Sequence, residues 1–321
     1  MNDTTTHPEP TAPTTYDLAG HPVGRVGYGA MGLERLADDP DAAVRLVREA
    51  VDLGVNHVDT ADFYGDSTAN AVLRRALRPG DDVVVVTKIG AVRATSGAIP
   101  LRPAQRPHEL RSAVEDNLRT LGRDRLDVVN LRRLDLGPGL QAEAEQIVPL
   151  DDQLAELVRL RDAGTVGAIG LSAVTEDVLR AALPAGIVCV QNAYNVLARE
   201  SESLLQLCRA EGIAWVPFFP LGSGFADLPK VVDLPEVVAA AARLGVTPAQ
   251  VGLAWLLQHA PNTLLIPGTT SSSHLAENLA AGAVVLDEEA VRDLDAVHDA
   301  RFAGEAWARS RTMPEGDAAA S

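Results

Sequence analysis

The stretch PHELRSAVEDNLRTLGRDRLDVVNL, residues 107–131, contains one repeat of the pattern that decides the fold. Apolar residues recur at helical spacing through Pro107–Leu121, and Gly122 follows where such a helix should end. Leu126–Leu131 is then a mostly apolar run. Runs without strict alternation are typical of parallel strands buried on both faces. The stretch therefore predicts a helix followed by a buried parallel strand.

The same alternation extends in both directions along the chain. Strands are predicted at Val26–Gly29, Val55–Asp59, Val83–Lys88, Leu126–Leu131, Ala168–Ser172, Ile187–Gln191, Ala214–Phe218 and Thr263–Ile266. Helices are predicted at Asp41–Leu53, Ser67–Leu77, Pro107–Leu121, Leu150–Ala163, Thr175–Leu183, Ser201–Glu211, Pro248–His259 and Ser273–Ala281. Eight strand-then-helix units are typical of a single (β/α)8 TIM barrel, an α/β fold of about 250 residues.

The predicted barrel domain covers residues 16–308. It begins with a small hairpin, made by Tyr16–Leu18 and Val23, that should cover the bottom of the barrel, and it ends with an extra helix at Asp287–Ala300. Residues 1–15 are rich in Thr and Pro and lack the apolar segment of a secretory signal, so we expect a disordered lead-in. Residues 309–321 are expected to form a flexible tail.

Composition excludes several classes of function. The chain has 321 residues, 46% of them hydrophobic, and 28 basic against 44 acidic residues give a net charge of -16. Nucleic acids and anionic membranes both require basic surface, so neither is an expected partner. No stretch reaches the roughly 18 apolar residues of a spanning helix, and we expect a cytoplasmic protein. The histidines show no metal-ligand spacing, so no metal is predicted, and no pattern indicates the oligomeric state.

A glycine motif near the start favours a different fold when taken alone. Gly27, Gly29 and Gly32 have the G-x-G-x-x-G spacing of a Rossmann dinucleotide site. In that fold a helix opens at the last glycine, and an acidic residue about 20 positions on ends a second strand. Here 33–40 has the composition of a loop, and Asp52 lies inside a helical pattern. We therefore interpret the glycines as a tight turn out of the first strand.

Three reactive residue types fall at or just after predicted strand ends. They are Asp59, Tyr64 and Lys88, in a chain with only two lysines and four tyrosines. The carboxyl ends of barrel strands share one mouth, so these side chains should meet. A phenol gives up its proton poorly at neutral pH, and a neighbouring ammonium stabilises the phenolate. The set predicts a tyrosine that acts as general acid on a carbonyl oxygen. The alternative is a structural Asp–Lys pair beside an unrelated tyrosine.

The segment VDTADFYG, residues 58–65, resembles the signature of the aldo-keto reductases. Further segments resemble that family in the same order: IGLS at 169–172, VQN at 190–192, PLG at 220–222 and IPGT at 266–269. The resemblance implies a barrel that reduces carbonyl compounds with NADPH. It implies that Tyr64 is the acid and that Asp59 and Lys88 tune it.

One catalytic position departs from the family pattern. The family normally has a histidine at the end of the fourth strand, where this chain has Arg132. Arginine is always charged and presents five donors, so Arg132 is expected to hold the carbonyl oxygen, to stabilise an alkoxide or to bind an anionic substrate group. A surface arginine without a role is the alternative. Tyr28 and Phe63 are predicted as substrate walls.

The resemblance also implies a set of cofactor-binding residues. Ser172, Gln191 and Phe218 match the nicotinamide end. The others are Gly29, Ala30, Met31, Asp59, Pro220, Leu221, Gly222, Ile266, Gly268, Thr269, Thr270, Ser271, His274, Glu277 and Asn278. Two cations that many members use on the 2′-phosphate are absent, since the matching positions are Gly268 and His274. NADPH/NADP+ is the predicted cofactor, and NADH use stays open.

Three functions follow from these features. DVVNLR at 127–132, VPFFPLG at 216–222 and LLIPGT at 264–269 resemble the bacterial pyridoxal reductase (pyridoxine 4-dehydrogenase) branch of the family, which implies a small pyridoxal-like aldehyde as substrate. A pathway-specific reductase of a sugar, a polyketide carbonyl or an imine is the second hypothesis. The third is a cofactor-bound, non-catalytic regulatory subunit, against which the intact Asp59, Tyr64 and Lys88 set weighs.

Overall fold

The computed structural model describes residues 14–94, 100–135, 140–222 and 229–297. Its strands are β1 (Thr15–Leu18), β2 (His21–Gly24), β3 (Tyr28–Gly29), β4 (His57–Asp59), β5 (Val84–Ile89), β6 (Ala91–Arg93), β7 (Leu101–Pro103), β8 (Leu126–Arg132), β9 (Val166–Ser172), β10 (Ile187–Gln191) and β11 (Ala214–Trp215). Its α-helices are α1 (Pro40–Asp52), α2 (Thr68–Ala76), α3 (Pro107–Leu121), α4 (Leu150–Asp162), α5 (Glu176–Ala182), α6 (Glu202–Ala210), α7 (Pro235–Leu244), α8 (Pro248–His259), α9 (Ser272–Ala280) and α10 (Glu288–Ala296).

The central sheet is parallel and closes on itself. Its strands pair in the order β3-β4-β5-β8-β9-β10-β11, which is chain order interrupted only by the β6–β7 hairpin. Parallel bridges join Trp215 to Thr263 and Val26 to Leu265, so the segment predicted as the eighth strand connects the last strand to the first. The predicted (β/α)8 barrel is confirmed.

Two apolar layers surround this sheet. The barrel interior is filled by small and β-branched side chains, including Val84, Val128 and Cys189, and Leu18 and Val23 of the β1–β2 hairpin pack against them. The hairpin thus covers the end of the barrel at which the strands begin, as predicted. A larger apolar layer lies between the outer face of the sheet and the helices.

Several elements were not predicted, among them α7 and the β6–β7 hairpin. α7 begins at Pro235 and ends at Leu244, and it is followed by Gly245, whose φ of 67° is one that favours glycine. Its buried face is largely alanine, which gives little hydrophobic contrast along the sequence. The β6–β7 hairpin lies between the predicted strand Val83–Lys88 and the predicted helix Pro107–Leu121, where no strand was predicted. The extra terminal helix is present as α10, and the last residues predicted for it, 298–300, lie outside the described residues, as do 1–13 and the predicted tail.

No single helix in the described ranges is both long and apolar enough to cross a membrane. α7 and α8 reach that length and composition only as a pair, with a bend of 96° between them.

The glycine motif serves close packing, which corrects the interpretation of a tight turn. Neither Gly27 nor Gly29 has a positive φ. A Cβ at Gly27 would lie 2.3 Å from the His57 ring, and one at Gly29 would lie 2.5 Å from the carbonyl oxygen of Ile266. The glycines are therefore required where the first strand approaches its neighbours as the barrel closes.

Candidate active site

Five polar side chains meet at the carboxyl end of the barrel. Asp59, Arg132, Ser172 and Gln191 are the last residues of β4, β8, β9 and β10, and Lys88 is the penultimate residue of β5. Parallel strands in register bring these ends together, and Arg132 lies directly opposite Ser172 in the β8–β9 pair. The predicted catalytic residues and the nicotinamide-end residues therefore share one site.

Asp59 and Lys88 form a buried ion pair. The Nζ of Lys88 donates to Oδ1 of Asp59 and, at 3.2 Å, to the carbonyl oxygen of Thr60. The Nε2 of Gln191 donates to the other carboxylate oxygen at 2.6 Å. Burial opposes the charged form of Lys88, yet Asp59 and Tyr64 outweigh it and raise the pKa of the ammonium. The lysine is therefore held charged and in one orientation.

Tyr64 lies directly beside this pair. Its ring centroid is 5.1 Å from Nζ of Lys88. Its main-chain amide donates to the carbonyl oxygen of Ala61 at 3.0 Å, in the loop that follows β4. Phe63 packs against it edge to face, with ring centroids 5.3 Å apart. The structure thus brings Asp59, Lys88 and Tyr64 together, with the phenol half-buried at the mouth.

Arg132 brings an uncommitted positive charge to the same mouth. Its guanidinium makes no hydrogen bond or ion pair with any residue in the described ranges. Burial lowers its pKa, and neighbouring Tyr64 opposes that shift. Arg133, by contrast, points to the outer face, where it pairs with Asp135 at 2.6 Å and with Gln153 at 2.7 Å. The five donors of Arg132 are therefore available to a bound oxyanion.

The nicotinamide end has free groups of the right chemistry for a carboxamide. The Asp59 carboxylate can only accept, so the amide of Gln191 must donate to it, and this leaves Oε1 of Gln191 buried with no partner in the described ranges. The hydroxyl of Ser172 also has no partner among the described residues. A carboxamide offers a donor to the first and an acceptor to the second. The residues present therefore fit a nicotinamide group.

The opposite end of the predicted cofactor site is a turn leading into α9. The amide of Ser271 donates to the Thr269 hydroxyl at 3.1 Å, and Ser271 caps the helix by accepting from the amide of His274 at 3.5 Å. A Cβ at Gly268 would lie 2.9 Å from the carbonyl oxygen of Gly29. A side chain at position 268 would therefore crowd the first strand in this structure.

Arg35 is a basic residue beside this turn that the sequence analysis missed. A Cβ atom at Gly32 would lie 3.4 Å from Nη2 of Arg35 and 3.8 Å from Cγ2 of Thr270. The side chains of Arg35 and Thr270 therefore both lie next to Gly32. The side chain of Arg35 is exposed and has no hydrogen-bond or ion-pair partner in the described part of the chain. Its segment was interpreted as loop, but Ala30–Leu36 is a 3-10 helix. The sequence signal that could have identified Arg35 is a basic residue shortly after the first strand.

Tyr28 is not a substrate wall, and this prediction is wrong. Its side chain is fully buried, and its hydroxyl donates to the carbonyl oxygen of Thr269 at 2.8 Å. Burial raises the pKa of this phenol well above its ordinary value. Tyr28 therefore packs in the outer apolar layer and supports the turn before α9.

The remaining predicted residues occupy varied positions. Phe63 is 6% exposed and lines a cavity of about 430 Å³ between α3 and the β6–β7 hairpin, with Lys88 at its edge. Phe218 is half-buried beside Phe219, with ring centroids 5.2 Å apart. Gly29, Ala30 and Asn278 are buried, Met31, Thr270 and His274 are exposed, and Pro220, Leu221, Gly222, Ile266 and Glu277 are half-buried. Within the described ranges, no group of His, Cys, Asp or Glu could hold a metal ion.

Several known proteins resemble this chain. It is 47% identical to pyridoxine 4-dehydrogenase of Escherichia coli (strain K12) over 290 residues, covering 88% of this chain and 98% of that protein. It is 29% identical to the probable aldo-keto reductase 1 of Glycine max, covering 88% and 87% of the two chains. These similarities span almost the whole of each relative.

Solved structures share the fold. A Klebsiella pneumoniae aldo/keto reductase in complex with NADP and acetate has a TM-score of 0.74 at 24% identity, covering 89% of this chain and 95% of its own. The holo form of a Bacillus halodurans aldo-keto reductase has a TM-score of 0.73 at 22% identity, covering 93% and 99%. At these identities the likeness concerns the fold alone.

The family assignment follows from the sequence match. The profile of the Aldo/keto reductase family matches residues 25–299, which include every strand of the barrel. The match also contains Asp59, Tyr64, Lys88 and Arg132, which the structure gathers at the mouth. The chain belongs to the aldo/keto reductase family and is an oxidoreductase of that class.

Proposed function

We propose that this chain reduces a pyridoxal-like aldehyde to the alcohol with NADPH, and that Tyr64 is the proton donor. The observation that carries the proposal is the phenol of Tyr64, whose ring centroid lies 5.1 Å from an ammonium fixed by buried Asp59. The similarity to a pyridoxine 4-dehydrogenase, at 47% identity, supports the substrate class. NADPH supplies the hydride when it is bound.

The side chains of the protein supply the proton in this reaction. As the carbonyl oxygen becomes negative, the hydroxyl of Tyr64 donates its proton to it. The ammonium of Lys88 stabilises the phenolate that remains, because an opposite charge nearby favours the ionised form. Asp59 keeps that ammonium charged and oriented through Oδ1, while Gln191 holds the other carboxylate oxygen. In the oxidative direction the same phenolate accepts the proton.

In this proposal Arg132 binds an anionic oxygen of the substrate. Pyridoxal carries a phenolic oxygen on the ring atom next to its aldehyde. A guanidinium with no partner among the described residues, held near Tyr64, matches a carbonyl flanked by such an oxyanion. The arginine therefore replaces the family histidine with a group that binds two adjacent oxygens in a planar fork.

Removal of that guanidinium should change substrate choice more than basal reduction. We expect Arg132→Met to lower kcat/KM for 2-hydroxybenzaldehyde by roughly tenfold to hundredfold, because charge-assisted hydrogen bonds contribute about 1.5–3 kcal/mol. Reduction of benzaldehyde, which lacks the hydroxyl, should change much less. The measurement is kcat/KM for both aldehydes. Equal losses on the two would place Arg132 on the carbonyl oxygen instead.

Arg35 supports the choice of NADPH over NADH. It is the basic side chain beside the turn at Thr269–Ser271, where two cations of the family are missing. We expect Arg35→Ala to weaken NADPH binding by about tenfold and to leave NADH binding unchanged, since only NADPH carries a 2′-phosphate. Fluorescence titration of both cofactors measures this. Arg292→Ala, on exposed α10, is the matched control. Equal weakening of both cofactors would exclude the phosphate contact.

A substrate panel tests the function as a whole. The purified chain is assayed with pyridoxal, an aldose, a polyketide-like diketone and a cyclic imine, with NADPH and NADH in parallel. We expect the highest kcat/KM for pyridoxal with NADPH. A preference for a sugar, diketone or imine would favour a pathway-specific reductase. Slow cofactor release without turnover on any substrate would favour a regulatory subunit.

A further inference from the structure

A buried polar network lies behind the catalytic side chains, between the sheet and helices α2 and α3. The outer layer of the barrel is largely apolar, so polar side chains there require an explanation. The network joins the ends of β4 and β5, the loop after β4, and both helices. Its members are Thr60, Asp62, Asn70, Thr87, Asn117 and Thr120.

The hydrogen bonds of the network run in a consistent direction. The hydroxyl of Thr60 donates to Oδ1 of Asn70 at 2.9 Å. The amide nitrogen of Asn70 donates to Oδ1 of Asn117 at 3.1 Å and to the hydroxyl of Thr120 at 2.9 Å. The hydroxyl of Thr87 donates to Oδ1 of Asn117 at 2.5 Å. Each donor in this series has an acceptor, and a fully satisfied buried network specifies a single geometry.

The network ends on Asp62, which holds the loop that carries Tyr64. Its Oδ1 accepts from the Thr120 hydroxyl at 2.8 Å and from the Ser67 hydroxyl at 2.9 Å. Gly65, Asp66 and Ser67 follow each other with φ values of 60°, 55° and 66°. Such a left-handed run is unfavourable for residues with a Cβ, so it needs external support. The Asp62 carboxylate supplies that support, because it links Ser67 of this run to Thr120 of α3.

Three members of the network lie within two residues of a predicted catalytic residue. Thr60 follows Asp59, and its carbonyl oxygen accepts from Lys88; Thr87 immediately precedes Lys88. Asp62 lies two residues before Tyr64. We propose that this network positions the phenol of Tyr64 against the Lys88 ammonium, with Asp62 as the positioning residue that anchors the loop. The inference rests on the proposed function, because it assigns Tyr64 to proton donation.

Asp62 is the member best suited to substitution. It is only half-buried and lines the cavity of about 430 Å³, whereas Asn70, Thr87 and Asn117 are fully buried. Asp62→Ala removes the acceptor for both hydroxyls, while Asp62→Asn retains an oxygen there. Asp116→Ala is the matched control, since Asp116 of α3 lines the same cavity but its carboxylate pairs with Arg119 at 2.8 Å.

The test combines kinetics with hydrogen exchange. For Asp62→Ala we expect kcat with NADPH and pyridoxal to fall by about tenfold or more, because small misplacement of a reacting group is costly. The solvent deuterium isotope effect on kcat should increase. The KM for pyridoxal and the affinity for NADPH should not change. Amide exchange in the peptide covering 61–67 should accelerate. Asp62→Asn should restore most of the rate, and Asp116→Ala should match wild type.

The possible outcomes separate this inference from the proposed function. Unchanged kcat and unchanged exchange at 61–67 would overturn the inference while leaving the function intact. A fall in kcat that tracks melting temperature and cofactor affinity, without a larger isotope effect, would overturn it in favour of a purely structural role. If wild type reduces no aldehyde, the proposed function fails and the catalytic role of Asp62 fails with it, while the exchange data still decide whether Asp62 anchors the loop.

Discussion

Replacing Tyr64 with phenylalanine is expected to lower kcat/KM for aldehyde reduction by about a thousandfold, within the range that general acid catalysis contributes. The substitution removes one oxygen atom and keeps the ring that Phe63 contacts at 5.3 Å between centroids. NADPH affinity should not change, because the groups that fit the nicotinamide are on β9 and β10. Steady-state kinetics with pyridoxal, together with a cofactor titration, measure both quantities.

A second tyrosine provides the control for this experiment. The hydroxyl of Tyr16, in the β1–β2 hairpin, donates to the carbonyl oxygen of Gly212 at 2.9 Å, on the covered end of the barrel. Tyr16→Phe should therefore retain wild-type turnover. Turnover retained by Tyr64→Phe would contradict the proton-donor role, and equal losses in both variants would indicate a general effect of losing a tyrosine hydroxyl.

Removal of the Lys88 ammonium has the second-largest expected effect. Lys88→Met should reduce kcat by about a hundredfold or more, because the phenolate loses the charge that stabilises it. It should also lower the free energy of unfolding by about 3–5 kcal/mol, since Asp59 is left as an uncompensated buried charge. The side chains of the pair are only 8% and 5% exposed, so water cannot replace the lost partner. Denaturant unfolding and kinetics measure the two effects.

Lys88→Arg should not rescue this loss, although it keeps the positive charge. A planar guanidinium is larger than an ammonium and directs its donors in a fixed fork, and the site is closed by Asp59, Thr60 and Tyr64. The chain contains 28 basic residues, nearly all arginine, so a lysine here is not a matter of composition. Lys230→Arg is the control at the exposed lysine. Full activity in Lys88→Arg would show that charge alone suffices.

The sequence was most informative where a run of apolar residues located a strand and a reactive residue followed at its end. β-Branched runs located β5, β8 and β10 to within a residue or two, because strands buried on both faces need apolar side chains throughout. Once the strand ends were located, the shared mouth of a parallel barrel predicted that Asp59, Tyr64 and Lys88 would meet. Arg132, Ser172 and Gln191 were assigned only by the resemblance to the aldo-keto reductases, and the structure places them at the same mouth.

Two physical causes explain the predictions that failed and the residues that were missed. Because both faces of a barrel strand are apolar, the sequence does not show that Gly27 and Gly29 face inward and Tyr28 faces the helices. Contacts between distant segments leave no local pattern either. Arg35 reaches the turn at Thr270 through barrel closure, and the Asp62 network connects residues up to 58 positions apart.

A single turnover tests the central claim most directly. The chain is mixed with limiting NADPH and excess pyridoxal, and both oxidised cofactor and pyridoxine are quantified after quenching. We predict one pyridoxine formed for each NADPH consumed, in wild type and in Tyr16→Phe, and neither product on that timescale in Tyr64→Phe. Oxidation of NADPH without formation of the alcohol, or equal yields from Tyr64→Phe, would contradict reduction of the carbonyl with Tyr64 as the acid.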